Sequence, residues 1–288
     1  MSALTVGIYA HWRKPGASVS LRCLLATLEA EGIRALVEEG PARLLAIEGQ
    51  PLDALARESD VLIALGGDGT LLRLVRDLHG HLVRPIMGIN FGTLGFLTSF
   101  SGPEFREAAR ALRERTYRVD ERTLLVARLM RDGQVISEQT GLNDVVVTRG
   151  ERSRLVQVEV HIEGALLTEY NADGLIVSTS TGSTAYSLSA GGPIVMPDSG
   201  VLVVTPICPH VLTNRSVVVS TRSTLTIRPS RGGVPLLLSV DGHEPEQILP
   251  DDCVRIAAAD RKIPLLFPRQ LTFADVLRSK LRWSGTNI

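Results

Sequence analysis

Apolar residues follow two different rhythms along this chain. In the first hundred residues, short unbroken apolar runs alternate with segments of helical spacing. Leu4–Ala10 reads as a strand, and Val61–Leu65 has the pattern of a fully buried one. Ser18–Ala30 puts Leu21, Leu24, Leu25 and Leu28 on one helical face. Ala35–Glu38 is a second strand candidate, and Pro51–Arg57 opens with proline at a helix start. Leu71–Leu78 has helical spacing again, and Pro85–Asn90 is another strand. Strand–helix alternation predicts a parallel sheet with helices on its faces.

After Gly102 the rhythm shortens to that of strands. One more helix is expected over Glu104–Arg115. Beyond it, Thr123–Met130 and Gln134–Glu138 flank Asp132-Gly133, a hairpin signal. Val156, Val158, Val160 and Ile162 alternate with polar residues, as in a strand with one wet face. Leu175–Ser178, Val201–Thr205, Val217–Ser220, Leu225–Arg228, Leu236–Val240 and Val254–Ala257 are further short β-rich runs. Many short strands with few helices predict a β-sandwich. Leu271–Arg282 reads as a helix that packs back on the first domain. The expected organisation is a doubly wound parallel α/β domain, residues 1–102 with 269–288, and a β-sandwich domain, 103–268.

Composition narrows the function classes. With 288 residues and 44% hydrophobic content, the chain can bury a sizeable core. Lys+Arg and Asp+Glu both number 31, and this balance argues against nucleic acid and against an electrostatic membrane anchor. Cys23, Cys208 and Cys253 lie far apart with no Cys-x-x-Cys pair, which fits a reducing compartment. The first ten residues lack the basic start of a signal peptide, and no apolar stretch is long enough to span a bilayer. A cytoplasmic protein is expected.

Two segments carry candidate chemistry. Gly66-Gly67-Asp68-Gly69-Thr70 follows the strand at Val61 and precedes a helix. Glycines let backbone approach a ligand closely, and a helix N-terminus suits phosphate. Asp68 does not fit a loop built only to hold phosphate, but it fits an acid that accepts a proton from an attacking hydroxyl or holds a metal ion. A plain Asx turn is the competing reading, and the buried strand before the loop favours a site. The second segment, Tyr170–Ile194, runs from a strand into a turn dense in hydroxyls and glycine, adaptable donors that let a flat ring come close. Asn143-Asp144 stands at a strand edge, where an Asx turn is the more frequent role. Asp241-Gly242-His243 reads as a hairpin turn whose histidine has no assigned task. Arg73 falls one turn into the helix after the glycine loop. The histidines show no metal-ligand spacing, and neither common nucleotide fingerprint is present.

Taken in order and spacing, Gly66–Thr70, Asn143-Asp144, Asp173–Ile194 and Asp241-Gly242 resemble the NAD kinases over nearly the whole chain, as does Asn90–Phe96. The glycine loop alone is shared with lipid kinases and phosphofructokinases. The run Thr181-Gly-Ser-Thr-Ala-Tyr-Ser-Leu-Ser-Ala-Gly-Gly-Pro193 is far more specific. The resemblance implies phosphorylation of the adenosine ribose 2′-hydroxyl of NAD, with ATP or another donor and a divalent metal, magnesium by expectation. It also implies a cleft between two domains and assembly into dimers or tetramers. By position, Asp68 is the base, with Gly69 against the dinucleotide. Asn143 and Asp144 bind ribose hydroxyls, and Asp173 and Ala185 read the adenine. Thr184, Tyr186, Ser187, Leu188 and Ser189 belong to the same pocket. Arg73, Arg154, Asn171 and His243 fall at ligand-contacting positions. Asp144 is one methylene shorter than the glutamate common there, and Ser180 stands where proline is usual. A non-catalytic dinucleotide sensor and a lipid kinase are the alternatives.

Overall fold

The structure, a computed structural model, describes residues 4–78, 84–92, 94–149, 156–211, 213–230 and 235–283, the side chains of Pro103 and Val156 excepted. In chain order the elements are β1 (Thr5–Ala10), α1 (Ala17–Ala30), β2 (Arg34–Val37), α2 (Glu39–Leu45), α3 (Leu52–Glu58), β3 (Val61–Leu65), α4 (Asp68–Asp77), β4 (Ile86–Asn90), β5 (Phe100–Ser101) and α5 (Phe105–Glu114). Then come β6 (Tyr117–Arg131), β7 (Gln134–Gly141), β8 (Asp144–Arg149), β9 (Val156–Ile162), β10 (Ala165–Ala172), β11 (Gly174–Thr179), α6 (Tyr186–Ser189), β12 (Val201–Ile207) and β13 (Val217–Ser220). β14 (Leu225–Pro229), β15 (Leu236–Val240), β16 (Glu246–Ile248), β17 (Cys253–Pro268) and α7 (Phe273–Leu281) complete the chain. They form two compact units, Met1–Glu121 with Ile263–Ile288, and Arg122–Lys262.

The first unit holds a parallel sheet in the order β2-β1-β3-β4, with β5 and the end of β17 both pairing with β4. Both faces are covered, which is why the strands read as continuous apolar runs. Val6 and Ile8 of β1 join Leu21, Leu24 and Leu28 of α1 and Phe105, Ala108 and Leu112 of α5 in one core layer. Gly7 faces the other way, under α3, where a Cβ would come 2.9 Å from Leu55 Cγ. The chain leaves β1 to one side for β2 and to the other for β3, so the switch point lies between β1 and β3.

The second unit is a sandwich. β10-β9-β14-β17 continues through β6 to β7 in one sheet, and β13-β12-β11-β8-β15-β16 forms the other. Alternate residues from both sheets, among them Leu125, Val145, Val160, Val177, Val204, Ile227, Leu238 and Val254, share one buried core. The Asp132-Gly133 turn has left-handed φ values of 49° and 78°, as a two-residue hairpin requires.

Several features depart from the sequence expectation. α2 escapes the pattern because Gly40 and Pro41 open it, yet the Glu38 carboxylate accepts the Gly40 N–H and caps it. β10 lacks clean alternation, but Glu163-Gly164 (φ 50° and 80°) turns it back against β9. The first unit runs past residue 102 to Glu121, because the buried face of α5 packs on α1.

Leu24 is fully buried between α1 and the sheet. Leu24→Ala is expected to cost about 2–5 kcal/mol in urea denaturation; a loss below about 1 kcal/mol would place this core layer elsewhere.

Candidate active site

In the first unit, β3 delivers the glycine loop directly into α4. The helix begins at Asp68 rather than at Leu71, so the acid lies in its first turn. The preceding Gly67 supplies no side-chain cap, and the helix therefore presents open N–H groups. Gly66 is glycine for packing, since a Cβ there would overlap the Thr70 hydroxyl. Gly69 is different. Its φ is not left-handed, and beyond its own helix no described residue lies within 4 Å of where its Cβ would stand. The fold does not require a glycine at that position, so what it leaves bare is backbone that a ligand can approach.

Asp68 is half-buried and held from across β4. Its Oδ2 accepts the Phe96 N–H at 2.8 Å, and its Oδ1 accepts the N–H groups of Leu97 at 3.1 Å and Thr98 at 3.2 Å. Gly95 makes this seat possible, because a Cβ there would overlap Asp68 Oδ1. The Gly95 N–H donates to Thr98 Oγ1 at 2.7 Å and closes the loop on itself. A carboxylate offers about four acceptor positions. These three backbone donors fill three of them.

On the other flank of the loop, a cavity of about 190 Å³ opens at the β1/β3 switch point, lined by Tyr9, Trp12, Arg13, Glu38, Gly69 and Arg73 among others. Arg73 is exposed and pairs with Asp77 at 3.4 Å. The Tyr9 hydroxyl donates to Asp77 at 2.9 Å, and burial, then the Asp77 charge, hold the phenol above its ordinary range. Burial likewise raises Glu38. Arg13 lies over the Trp12 indole, 4.8 Å from its centroid.

In the second unit the candidates gather on the sheet face turned away from the sandwich core. Val145 and Val147 point into that core, so Asp144 and Val146 point out. Asp144 stands opposite Ser178 on β11, whose buried Oγ has no hydrogen-bond partner among the described residues. Burial, and then the nearby Asp241 carboxylate, push Asp144 up to about 7. Asn143 is half-buried; its carbonyl accepts the Thr179 N–H, and Gly182 packs flat against its backbone. The hydroxyl-rich turn folds back over this face, where Ala190 packs with Val146, Ile176 and Ile207. Within it, Thr184, Ala185 and Leu188 are half-buried, while Tyr186 and Ser189 are exposed. Ser187 is fully buried and shares a 3.0 Å hydrogen bond with Thr205, so its hydroxyl anchors the turn. Asp173 pairs with Arg149 at 3.3 Å. Asn171 belongs to β10 in the other sheet. His243 is exposed just past the Asp241-Gly242 turn. Arg154 lies outside the described residues.

Three contributors had no assigned role in the sequence. The Phe96–Thr98 backbone seats Asp68, Asp241 holds the segment before β8, and Arg122, 3% exposed, donates to Thr181 Oγ1 at 3.5 Å. The glycine at 95 was the visible trace of the first and the Asp241-Gly242 turn that of the second; Arg122 had none.

Gly95→Ala is expected to lower stability by on the order of 2 kcal/mol, through loss of charge-assisted bonds at Asp68, whereas Gly69→Ala unfolds at or slightly above the native midpoint. Equal losses for both in thermal unfolding would refute the distinction. A second expectation concerns pH. The folded Asp144 carboxyl keeps its proton up to about 7, whereas the ordinary value is 3.8. The folded state holds the extra proton in that window and loses stability as pH rises through it. Asp144→Asn removes this loss, so its stability relative to the native chain should rise by on the order of 2 kcal/mol from about pH 5 to about pH 8.5. A difference flat in pH would show that Asp144 is ionised throughout.

The ATP-NAD kinase N-terminal domain model matches residues 19–117, and the ATP-NAD kinase C-terminal domain model matches residues 142–267. The NAD kinase of Symbiobacterium thermophilum is 43% identical over 280 residues, 95% of this chain and 96% of that protein. The NAD kinase of Geobacter metallireducens is 39% identical over 278 residues, 96% of this chain and 98% of its own. Among solved structures, yeast NADH kinase complexed with NADH is similar with a TM-score of 0.89 at 26% identity, over 99% of this chain and 89% of that one. An NAD kinase from Archaeoglobus fulgidus in complex with ATP shares the fold, with a TM-score of 0.74 at 22% identity over 98% of this chain and 100% of that one. With both domain models matched in order and full-length relatives near 40% identity, this chain belongs to the NAD kinase family.

Proposed function

We propose that the protein phosphorylates the adenosine ribose 2′-hydroxyl of NAD to give NADP, using ATP or another phosphate donor. The observation that carries this reading is Asp68, fixed by three backbone N–H groups beside an open helix N-terminus in a chain of this family. Phosphoryl transfer is mostly positioning and charge neutralisation, and a secondary hydroxyl needs help as a nucleophile. Asp68 takes the hydroxyl proton as the oxygen–phosphorus bond forms and the donor's terminal bridging bond breaks. The open N–H groups of α4 and the Arg73 guanidinium suit the donor's phosphates.

Asn143 and Asp144 hold the ribose hydroxyls. Asp173 and Ala185 read the adenine, and Thr184, Tyr186, Leu188 and Ser189 line that pocket. Ser187 supports the turn through Thr205. Arg154, Asn171 and His243 are further ligand contacts by position in the family. Among the described residues, no three His, Cys, Asp or Glu side chains converge as metal ligands. The expected divalent metal, magnesium, suits the donor's phosphates. Self-association into a dimer or tetramer and a cytoplasmic location complete the proposal, the latter supported by three unpaired cysteines. Full-length likeness to NAD kinases favours neither a lipid kinase nor a sensor.

A coupled assay for NADP formation from NAD, ATP and magnesium tests the reading. Turnover is expected in the native chain, and Asp68→Asn should lower kcat by about 10²–10⁴-fold with KM for NAD little changed. A folded Asp68→Asn variant that keeps most of its rate would remove Asp68 as the base. Absence of NADP with NAD bound would point to a sensor.

A further inference from the structure

We propose that Asp241 is the positioning residue of the ribose subsite: its carboxylate, seated in three successive backbone N–H groups, sets where Asn143 and Asp144 present their side chains to NAD. The inference rests on the function proposed above and adds a residue for which no role was assigned.

Asp241 Oδ2 accepts the Leu142 N–H at 2.7 Å, and Oδ1 accepts the N–H groups of Asn143 and Asp144, both at 2.9 Å. Three consecutive donors converging on one anion form a nest, not a β ladder. The ladder between β8 and β15 reaches Val145 opposite Val240. The Asp241 N–H then donates to the Asp144 carbonyl at 3.0 Å, and beyond that point the carboxylate takes over from backbone pairing. The opposite edge of the segment is held as well. Thr179 Oγ1 donates to the Leu142 carbonyl at 2.6 Å, and the Thr179 N–H to the Asn143 carbonyl at 2.9 Å. Backbone pinned on both edges leaves side-chain direction as the only freedom at Asn143 and Asp144.

Asp241 opens an Asp-Gly turn with the left-handed φ of 49° that such a turn takes, and the turn carries its carboxylate to the start of β8. Gly141 leaves it room, since a Cβ there would come 3.1 Å from Asp241 Oδ1 and 2.5 Å from Val240 Cγ1. The chain also tolerates two carboxylates near each other, because Asp241 raises Asp144. Of the other groups around Asp144, Ser178 opposite it on β11 is neutral, and Arg122 of β6 lies against Thr181. A reserved space and a like-charge neighbour are both accepted to keep this carboxylate in its nest.

Asp241→Asn sets an amide N–H₂ against one of the three donors and removes the charge. NADP formation is measured from about pH 5.5 to about pH 9, with circular dichroism to confirm folding. KM for NAD is expected to rise on the order of tenfold while kcat falls less than about threefold, and the acid limb of kcat/KM to move to lower pH as Asp144 loses its like-charge neighbour. Asp241→Glu keeps the charge but displaces the oxygens; it should raise KM with the limb in place, and it carries the test if Asp241→Asn does not fold. Thr179→Val loosens the same segment by its other edge and should lower the unfolding midpoint without moving the limb. In an active native enzyme, a folded Asp241→Asn with unchanged KM and limb, or an Asp241→Glu with native KM, overturns the proposal and leaves the function standing. If the native chain makes no NADP, the function reading has failed instead, and calorimetric NAD titration of the native chain and both Asp241 variants decides this one by the same affinity ratio.

Discussion

Three backbone N–H groups converge on the Asp68 carboxylate, and much of the first unit's candidate site exists to allow it. The donors belong to Phe96, Leu97 and Thr98, in the segment after β4, while the acceptor opens the helix after β3. Bonds to an ionised acceptor are about twice as strong as neutral ones, so this contact ties two crossover loops of the parallel sheet together. It also imposes glycine at 95, because any Cβ would occupy the oxygen's place. The proposed base is thereby held still, with one acceptor position left open.

The second unit uses the same backbone physics for a different end. Asp241 fills a nest at Leu142–Asp144 as Asp68 fills one at Phe96–Thr98. At Asp68 the held group is itself the proposed base. Asp241 is held so that its neighbours are placed, and its charge falls on Asp144. Placing the second cluster on the outer sheet face frees it from core packing. Val145 and Val147 satisfy the sandwich, and Asp144, on the opposite face of β8, is available for other uses.

Much of this was legible in the chain, and for identifiable reasons. Val61–Leu65 is apolar at every position because a parallel strand is buried on both faces, and such a run ending in glycines marks a ligand-bearing edge. The Asp132-Gly133 hairpin follows from two left-handed residues in a row. The reading failed where an element forms without a clear apolar period. α2 begins with glycine and proline and forms because Glu38 caps it. β10 is weak in pattern and strong in pairing. Ser187 looked like one more hydroxyl of the pocket, yet its partner is Thr205, eighteen positions away.

Hydrophobic periodicity, turn chemistry and the order of the motifs are local properties, and by themselves they determined the fold class, the family resemblance and the residue types available for chemistry. Tertiary structure decided which polar atoms meet. Asp68 bonds donors 28–30 positions away and Asp241 donors 97–99 positions away, and neither pairing leaves a periodic trace. A hydrogen bond is directional and short, so its partner is chosen by the folded backbone's geometry, whereas burial is non-directional and is written into composition along the chain.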